Sequence, residues 1–272
     1  MNESLVKYLA GLLDADGSLS FAFKEDVNRA GLCFLGLHLR LASSTAVDGV
    51  GFIDTLPAET GMGGVSYSGE KRQFKTWTVS RRADLEMLLP RLTKHMVIKA
   101  KHWQWMLETW RDMRADNKVL TVEEREALGK ASKESRVSRV GPLRPKNHPT
   151  WAWTAGYLDG DGCYYYRHHG GQWVMKLSAS AHVNDAEVLR FLENSFGGTI
   201  RDQSETVRLW VRSLGYHNRS FALGFLPNVA KHSRMKRHKI DAIIHHHRQR
   251  LSVPGVKPRL GVSDSLKSLT GL

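Results

Sequence analysis

Apolar residues recur with helical spacing over Leu5–Asp14, where Leu5, Tyr8, Leu9, Leu12 and Leu13 share one side and Ser4 is placed to cap the start. Ala10 and Gly11 lie inside this helix. Glycine costs about 1 kcal/mol there relative to alanine, which points to close approach by another backbone. Gly17 is expected to stop the helix. The period then changes to two. Leu19, Phe21 and Phe23 alternate with Ser18, Ser20, Ala22 and Lys24, and, after a turn near Asn28–Gly31, Leu35, Leu37, Leu39 and Leu41 alternate with Gly36, His38, Arg40 and Ala42. These are two half-buried strands, greasy on one face and polar on the other. A helix is predicted over Val47–Thr60, a hairpin over Val65–Ser68 and Phe74–Ser80, and helices over Ala83–Leu92 and Ile98–Met113.

The second half repeats this order. A helix is predicted over Trp151–Asp159, strands over Cys163–Arg167 and Trp173–Ala181, and a helix capped by Asp185 as far as Phe196. Strands near Thr199–Arg201 and Thr206–Arg212 follow, then helices over His217–Phe225 and Arg234–Gln249. The pattern gives an α+β fold of two pseudo-symmetric αββαββα half-domains, residues 1–115 and 151–251. Between them, 116–150 reads as a short polar helix and a basic Pro/Gly linker, and 252–272 as a mobile tail.

Composition narrows the partner. Of 272 residues, 41% are hydrophobic and 25% charged, as in ordinary globular proteins, but 40 Lys+Arg against 27 Asp+Glu leave a net charge of +13. That excess favours a polyanion, nucleic acid before anionic membrane. Cys33 and Cys163 are too few for a disulfide framework or zinc site, which fits a reduced, intracellular setting. Asp14 and Asp16 interrupt the N-terminal apolar run, so no signal peptide is expected, and no stretch is long enough to span a membrane.

The chemistry lies in a repeat. Leu9-Ala10-Gly11-Leu12-Leu13-Asp14-Ala15-Asp16-Gly17 returns, altered, as Thr154-Ala155-Gly156-Tyr157-Leu158-Asp159-Gly160-Asp161-Gly162. If Gly11 and Gly156 let the two helices touch, Asp16 and Asp161 project together from two C-termini. Those ends are already electronegative, so carboxylates there call for a cation. Paired oxygen ligands suit Mg²⁺, which keeps some waters and engages phosphate.

The first copy differs from the LAGLIDADG signature only by Leu13 in place of isoleucine, and the second is a degenerate form of it. From residue 4 to about 250 the chain resembles the single-chain, two-motif LAGLIDADG homing endonucleases. The resemblance implies a monomer with two saddle-shaped antiparallel sheets astride double-stranded DNA, helices packed on one face of each sheet. It implies a Mg²⁺-dependent double-strand break, with Mn²⁺ able to substitute, in a long asymmetric target, as in intron homing. Carried over, Asp16 and Asp161 become metal ligands assisted by the carbonyls of Ala15 and Gly160. Lys99 and Lys236 become catalytic residues that stabilise transition-state charge or help activate water, and Asp14 and Asp159 helix-end or structural acids. The glutamine that the family often carries after its second strand is missing, leaving Thr45 and His182 as candidates to position water. The resemblance implies residence in the cytoplasm of a prokaryote or in an organelle.

The polar strand faces are mostly basic, whereas an ordinary solvated face mixes signs. Ser20, Lys24, His38 and Arg40 in one half, and Tyr165, Arg167, Lys176, Ser178, Arg208, Trp210 and Arg212 in the other, are the expected DNA contacts. A two-stranded ribbon fits the major groove, where arginine pairs with guanine. Two alternatives stand beside cleavage: an RNA-binding intron maturase and a non-catalytic DNA-binding regulator.

Overall fold

The first helix, α1 (Glu3–Asp16), starts ahead of Ser4 because Asn2 is its cap, accepting the Leu5 N–H at 2.8 Å on Oδ1. This satisfies one of the donors that a first turn leaves unpaired. The computed structural model describes residues 1–44, 51–116, 118–137, 149–169, 172–196, 198–203, 206–214 and 221–251. Contacts divide the chain into two units, Met1–Gly160 and Asp161–Leu272.

In the first unit α1 passes directly into β1 (Gly17–Glu25). Gly17 ends the helix without the left-handed geometry of a usual glycine cap, at φ −75° and ψ 149°. Crowding is what excludes a side chain there, since a Cβ would lie 2.6 Å from the Leu13 carbonyl oxygen. β1 pairs along its whole length with β2 (Cys33–Ser44). Then come α2 (Gly51–Thr60), β3 (Gly64–Ser68), β4 (Phe74–Val79), α3 (Arg82–Thr93) and α4 (Ala100–Ala115). The start of the helix expected from Val47 lies outside the described residues.

The antiparallel sheet runs β1-β2-β4-β3. Register sets Leu19 opposite Leu39, and Leu41 opposite Trp77, so that these residues with Leu35, Leu37 and Val79 form one buried face. Each leucine fully removed from water stabilises the fold by about 1.5–3 kcal/mol. Lys75 also lies on this covered face, where the Asp54 carboxylate of α2 pairs with it and raises its pKa.

The segment after α4 is ordered structure. β5 (Val119–Leu120) pairs with β2 at Cys33 and Phe34, beyond the point where β4 stops. The expected polar helix is α5 (Val122–Val137). It is fastened by buried Leu128, by Arg125 over the Phe23 ring at 6.0 Å, and by His102 Nδ1 at 2.7 Å from Ser135 Oγ. Residues 138–148, the rest of the expected linker, lie outside the described residues. The unit closes with α6 (Trp151–Gly160).

The second unit holds β6 (Gly162–His169), β7 (Gln172–His182), α7 (Ala186–Phe196), β8 (Thr199–Gln203) and β9 (Thr206–Leu214), in the antiparallel order β6-β7-β9-β8. A π-helical turn, Phe221–Phe225, continues into α8 (Leu226–Ala230), and α9 (Arg237–Leu251) follows. Of the helix expected over His217–Phe225, residues 217–220 lie outside the described residues; helical structure from Phe221 runs on to Ala230. Pro227 lies in the first turn of α8, where its missing N–H removes no bond within that α-helix. Each half ends in two helices, so the chain-order repeat is αββαββαα. The tail expected over 252–272 lies outside the described residues. Among the described residues, no helix is long and apolar enough to cross a membrane.

Candidate functional site

In the first unit α1 and α6 touch backbone to backbone. A Cβ on Gly11 would lie 1.9 Å from the Trp153 carbonyl oxygen, and one on Gly156 would lie 2.0 Å from that of Tyr8. The contact is reciprocal because Tyr8 and Trp153 hold the same place in their motifs, six residues before the first acid. They also bind those acids across the pair. Tyr8 Oη donates to Asp159 at 2.7 Å, and Trp153 Nε1 donates to Asp14 at 2.9 Å. Asp14 further accepts the backbone N–H groups of Val97 (2.7 Å) and Lys99 (2.8 Å). Both acids are buried, and burial pushes the Asp14 carboxyl up against the opposing pull of its hydrogen bonds. Asp14 and Asp159 therefore pin the helices to their surroundings. The sequence assigns them a helix-end or structural role, and the aromatic donors Tyr8 and Trp153 were missed.

The second acids differ. Asp16 is exposed and Asp161, the first residue of the second unit, is half-buried. A Cβ on Gly160 would stand 3.0 Å from Asp16 Oδ2, so the small residue leaves that carboxylate room.

Each half also directs a lysine at its motif end. Lys99, just before α4, donates from Nζ to the carbonyls of Leu13 (2.9 Å), Ala15 (3.1 Å) and Gly17 (2.8 Å). Three carbonyls match the three donors of an ammonium, and its charge offsets the negative end of α1. Lys236, just before α9, donates to the Gly162 carbonyl. Gly17 and Gly162 are equivalent motif residues, so both lysines, far from the motifs in sequence, reach the same backbone position. The Ala15 carbonyl, expected to face a metal, is shared with Lys99.

The uncovered face of the first sheet is built by register. Ser18 stands opposite Arg40 and Arg40 opposite Thr78; Ser20 faces His38, and Lys24 faces Phe34. Arg40 donates to His38 Nδ1 at 3.2 Å. Partial burial, then the neighbouring guanidinium, lowers the His38 pKa and so favours the neutral ring that accepts this bond. Phe34, Thr76 and Thr78 share this face and were missed, although the alternation of Thr76 and Thr78 with Lys75, Trp77 and Val79 marks it.

In the second sheet Cys163 pairs with Ser178, Tyr165 with Lys176 and Arg167 with Val174, while Ser178 faces Trp210 and Lys176 faces Arg212. Ser180 stands opposite Arg208, which stands opposite Arg201 on β8, another residue missed. Like charges directly opposed across strands are destabilising unless an anion meets them. His182, exposed, ends β7 opposite Thr206. Thr45 lies outside the described residues.

No family model and no curated protein matches this sequence. Solved structures do match. A crystal structure of the meganuclease I-SmaMI bound to uncleavable DNA aligns at TM-score 0.69 and 14% identity, over 99% of this chain and 97% of that one. The LAGLIDADG homing endonuclease I-GzeII in complex with its DNA target aligns at TM-score 0.69 and 12% identity, over 97% and 95%. The fold is that of the LAGLIDADG homing endonucleases. I-SmaMI bound to uncleaved DNA in the presence of calcium ions aligns at TM-score 0.64 and 15% identity, over 93% and 94%. The LAGLIDADG fold accounts for the two antiparallel sheets and the repeated motif helix found in this chain.

Proposed function

We propose that this chain is a site-specific DNA endonuclease of the homing type, a monomer that cuts both strands of an asymmetric duplex target with a divalent metal. One observation carries the reading. The motif pair keeps one acid buried in each copy and leaves the other accessible, and each half brings a lysine to the equivalent glycine carbonyl. The solved relatives in complex with DNA support it.

A Mg²⁺ ion fits the residues present. Among the described residues no cluster of three His, Cys, Asp or Glu forms a closed cage. Carboxylate and carbonyl oxygens, with water, are the kind of donors that magnesium accepts beside phosphate, and each motif end supplies them. Asp16 and Asp161 would hold it, helped by the Gly160 carbonyl. When bound, such an ion polarises the phosphoryl oxygen and makes its water a stronger nucleophile.

The remaining work falls to the chain itself. Lys99 and Lys236 place positive charge beside each motif end, where it stabilises the developing negative charge of the reaction. Arg40, Arg208 and Arg212 are the strand residues suited to guanine, and Lys24 and Lys176 the ones suited to backbone phosphate.

Selection of cleaved molecules from a randomised duplex library with Mg²⁺ tests the proposal. One asymmetric site cut on both strands is expected. No cleaved species with Mg²⁺ or Mn²⁺, together with tight binding to intron RNA, would replace it with the maturase reading.

The lysines give a second test. Lys99→Met is expected to slow cutting of one strand by about 100-fold, the size of losing one preorganised charge contact, so that nicked DNA accumulates. Lys236→Met should slow cutting of the opposite strand by a similar factor. Equal slowing of both strands by either variant would reduce the lysine to a structural cap.

A further inference from the structure

The β5–α5 segment does more than join the halves. Within the first unit a cleft of about 200 Å³ opens where α1 hands over to β1; Gly17, Ser18, Lys99 and His102 line it, and Arg136 of α5 completes it. Ser18 also stands opposite Arg40 on the uncovered sheet face, so the cleft borders the proposed DNA surface.

Arg136 is there by construction. Ser135 Oγ donates to the Ser132 carbonyl at 2.9 Å, which spends its only proton. The 2.7 Å contact with His102 is therefore a bond donated by Nδ1–H, and it ties α5 to α4 one residue before Arg136. The β5–β2 pairing and the Arg125–Phe23 stack fix the other end of the helix. An exposed arginine delivered beside Lys99 forms a two-cation pocket with a serine hydroxyl at its rim. Guanidinium with a hydroxyl donor is the set that recognises a phosphate group.

We infer that this cleft is a phosphodiester subsite, in which Arg136 binds a backbone phosphate of the DNA strand lying next to the first motif. The inference rests on the endonuclease reading above and names a contact supplied by the connecting helix.

Binding of a random-sequence 30-base-pair duplex, measured by fluorescence anisotropy across a salt series without divalent metal, tests it. The wild type should show a steep fall of log K with log salt. Arg136→Gln should lower that slope by about one, and Arg136→Lys should restore it. Arg82→Gln, on the outside of α3 and paired with Glu86, serves as the control and should leave the slope unchanged. Matched melting temperatures show that the variants fold. A wild-type slope in Arg136→Gln overturns the subsite while leaving the endonuclease reading intact; a flat wild-type slope overturns both. If Arg136→Gln loses only a stabilisation by inorganic phosphate and keeps its DNA slope, the cleft takes the free ion and the inference fails.

Discussion

Asp16→Asn and Asp161→Asn should each abolish double-strand cleavage while leaving duplex affinity within a few-fold of wild type. Asparagine keeps the shape and one acceptor oxygen but loses the charge that holds a hard cation. Several kcal/mol of transition-state stabilisation depend on such an ion, and about 4 kcal/mol corresponds to a thousand-fold in rate. Asp14→Asn and Asp159→Asn provide the contrast. Asp14 accepts three N–H donors in a buried place. An amide would turn its own donors on some of them, at about 1–3 kcal/mol for each group left unpaired. The first-acid variants should therefore melt early yet still cut at low temperature, and the second-acid variants should melt normally and not cut. Cleavage and melting curves on the same four preparations decide it. Full cutting by either second-acid variant ends the metal-ligand assignment.

The division of labour between the two acids was only half legible in the sequence. The repeat and its Asp-x-Asp spacing name four carboxylates, and the glycines announce close helix contact. What separates the acids is depth, and depth is set by partners distant in the chain. Val97, Lys99 and Trp153 lie more than 80 residues from Asp14, so no local pattern shows that it is enclosed. The strands fared better, because period-two alternation is a local signal: the buried leucines of β2 and the polar residues between them stand where their parity puts them. The charged stretch after Ala115 shows the opposite limit. Its composition reads as a connector, yet two residues of strand pairing, buried Leu128, the Arg125–Phe23 stack and one His–Ser bond build it into the first unit. Local composition reports how soluble a helix is but says nothing of where it docks.

Gly11→Ala and Gly156→Ala should be the most destabilising single-methyl changes available in the first unit. In an ordinary helix, alanine for glycine stabilises by about 1 kcal/mol. Here the added Cβ would sit 1.9 Å from the Trp153 carbonyl oxygen or 2.0 Å from that of Tyr8, where no real carbon is found. The obstacle is backbone, so no rotamer change relieves it, and the helices must separate. Separation would also stretch the bonds Tyr8–Asp159 and Trp153–Asp14, leaving buried carboxylates short of donors. Overpacking costs about 1–3 kcal/mol by itself, and the lost hydrogen bonds add about 1–3 kcal/mol for each orphaned group. The expected loss of about 3 kcal/mol or more lowers Tm by roughly 6–12 °C in a unit of this size. Thermal unfolding followed by circular dichroism checks it, with Gly129→Ala as the reference, since nothing lies within 4 Å of a Cβ at that half-buried position on α5. Gly129→Ala should raise Tm slightly. Equal Tm values for Gly11→Ala and Gly129→Ala would mean that α1 and α6 do not meet at Gly11.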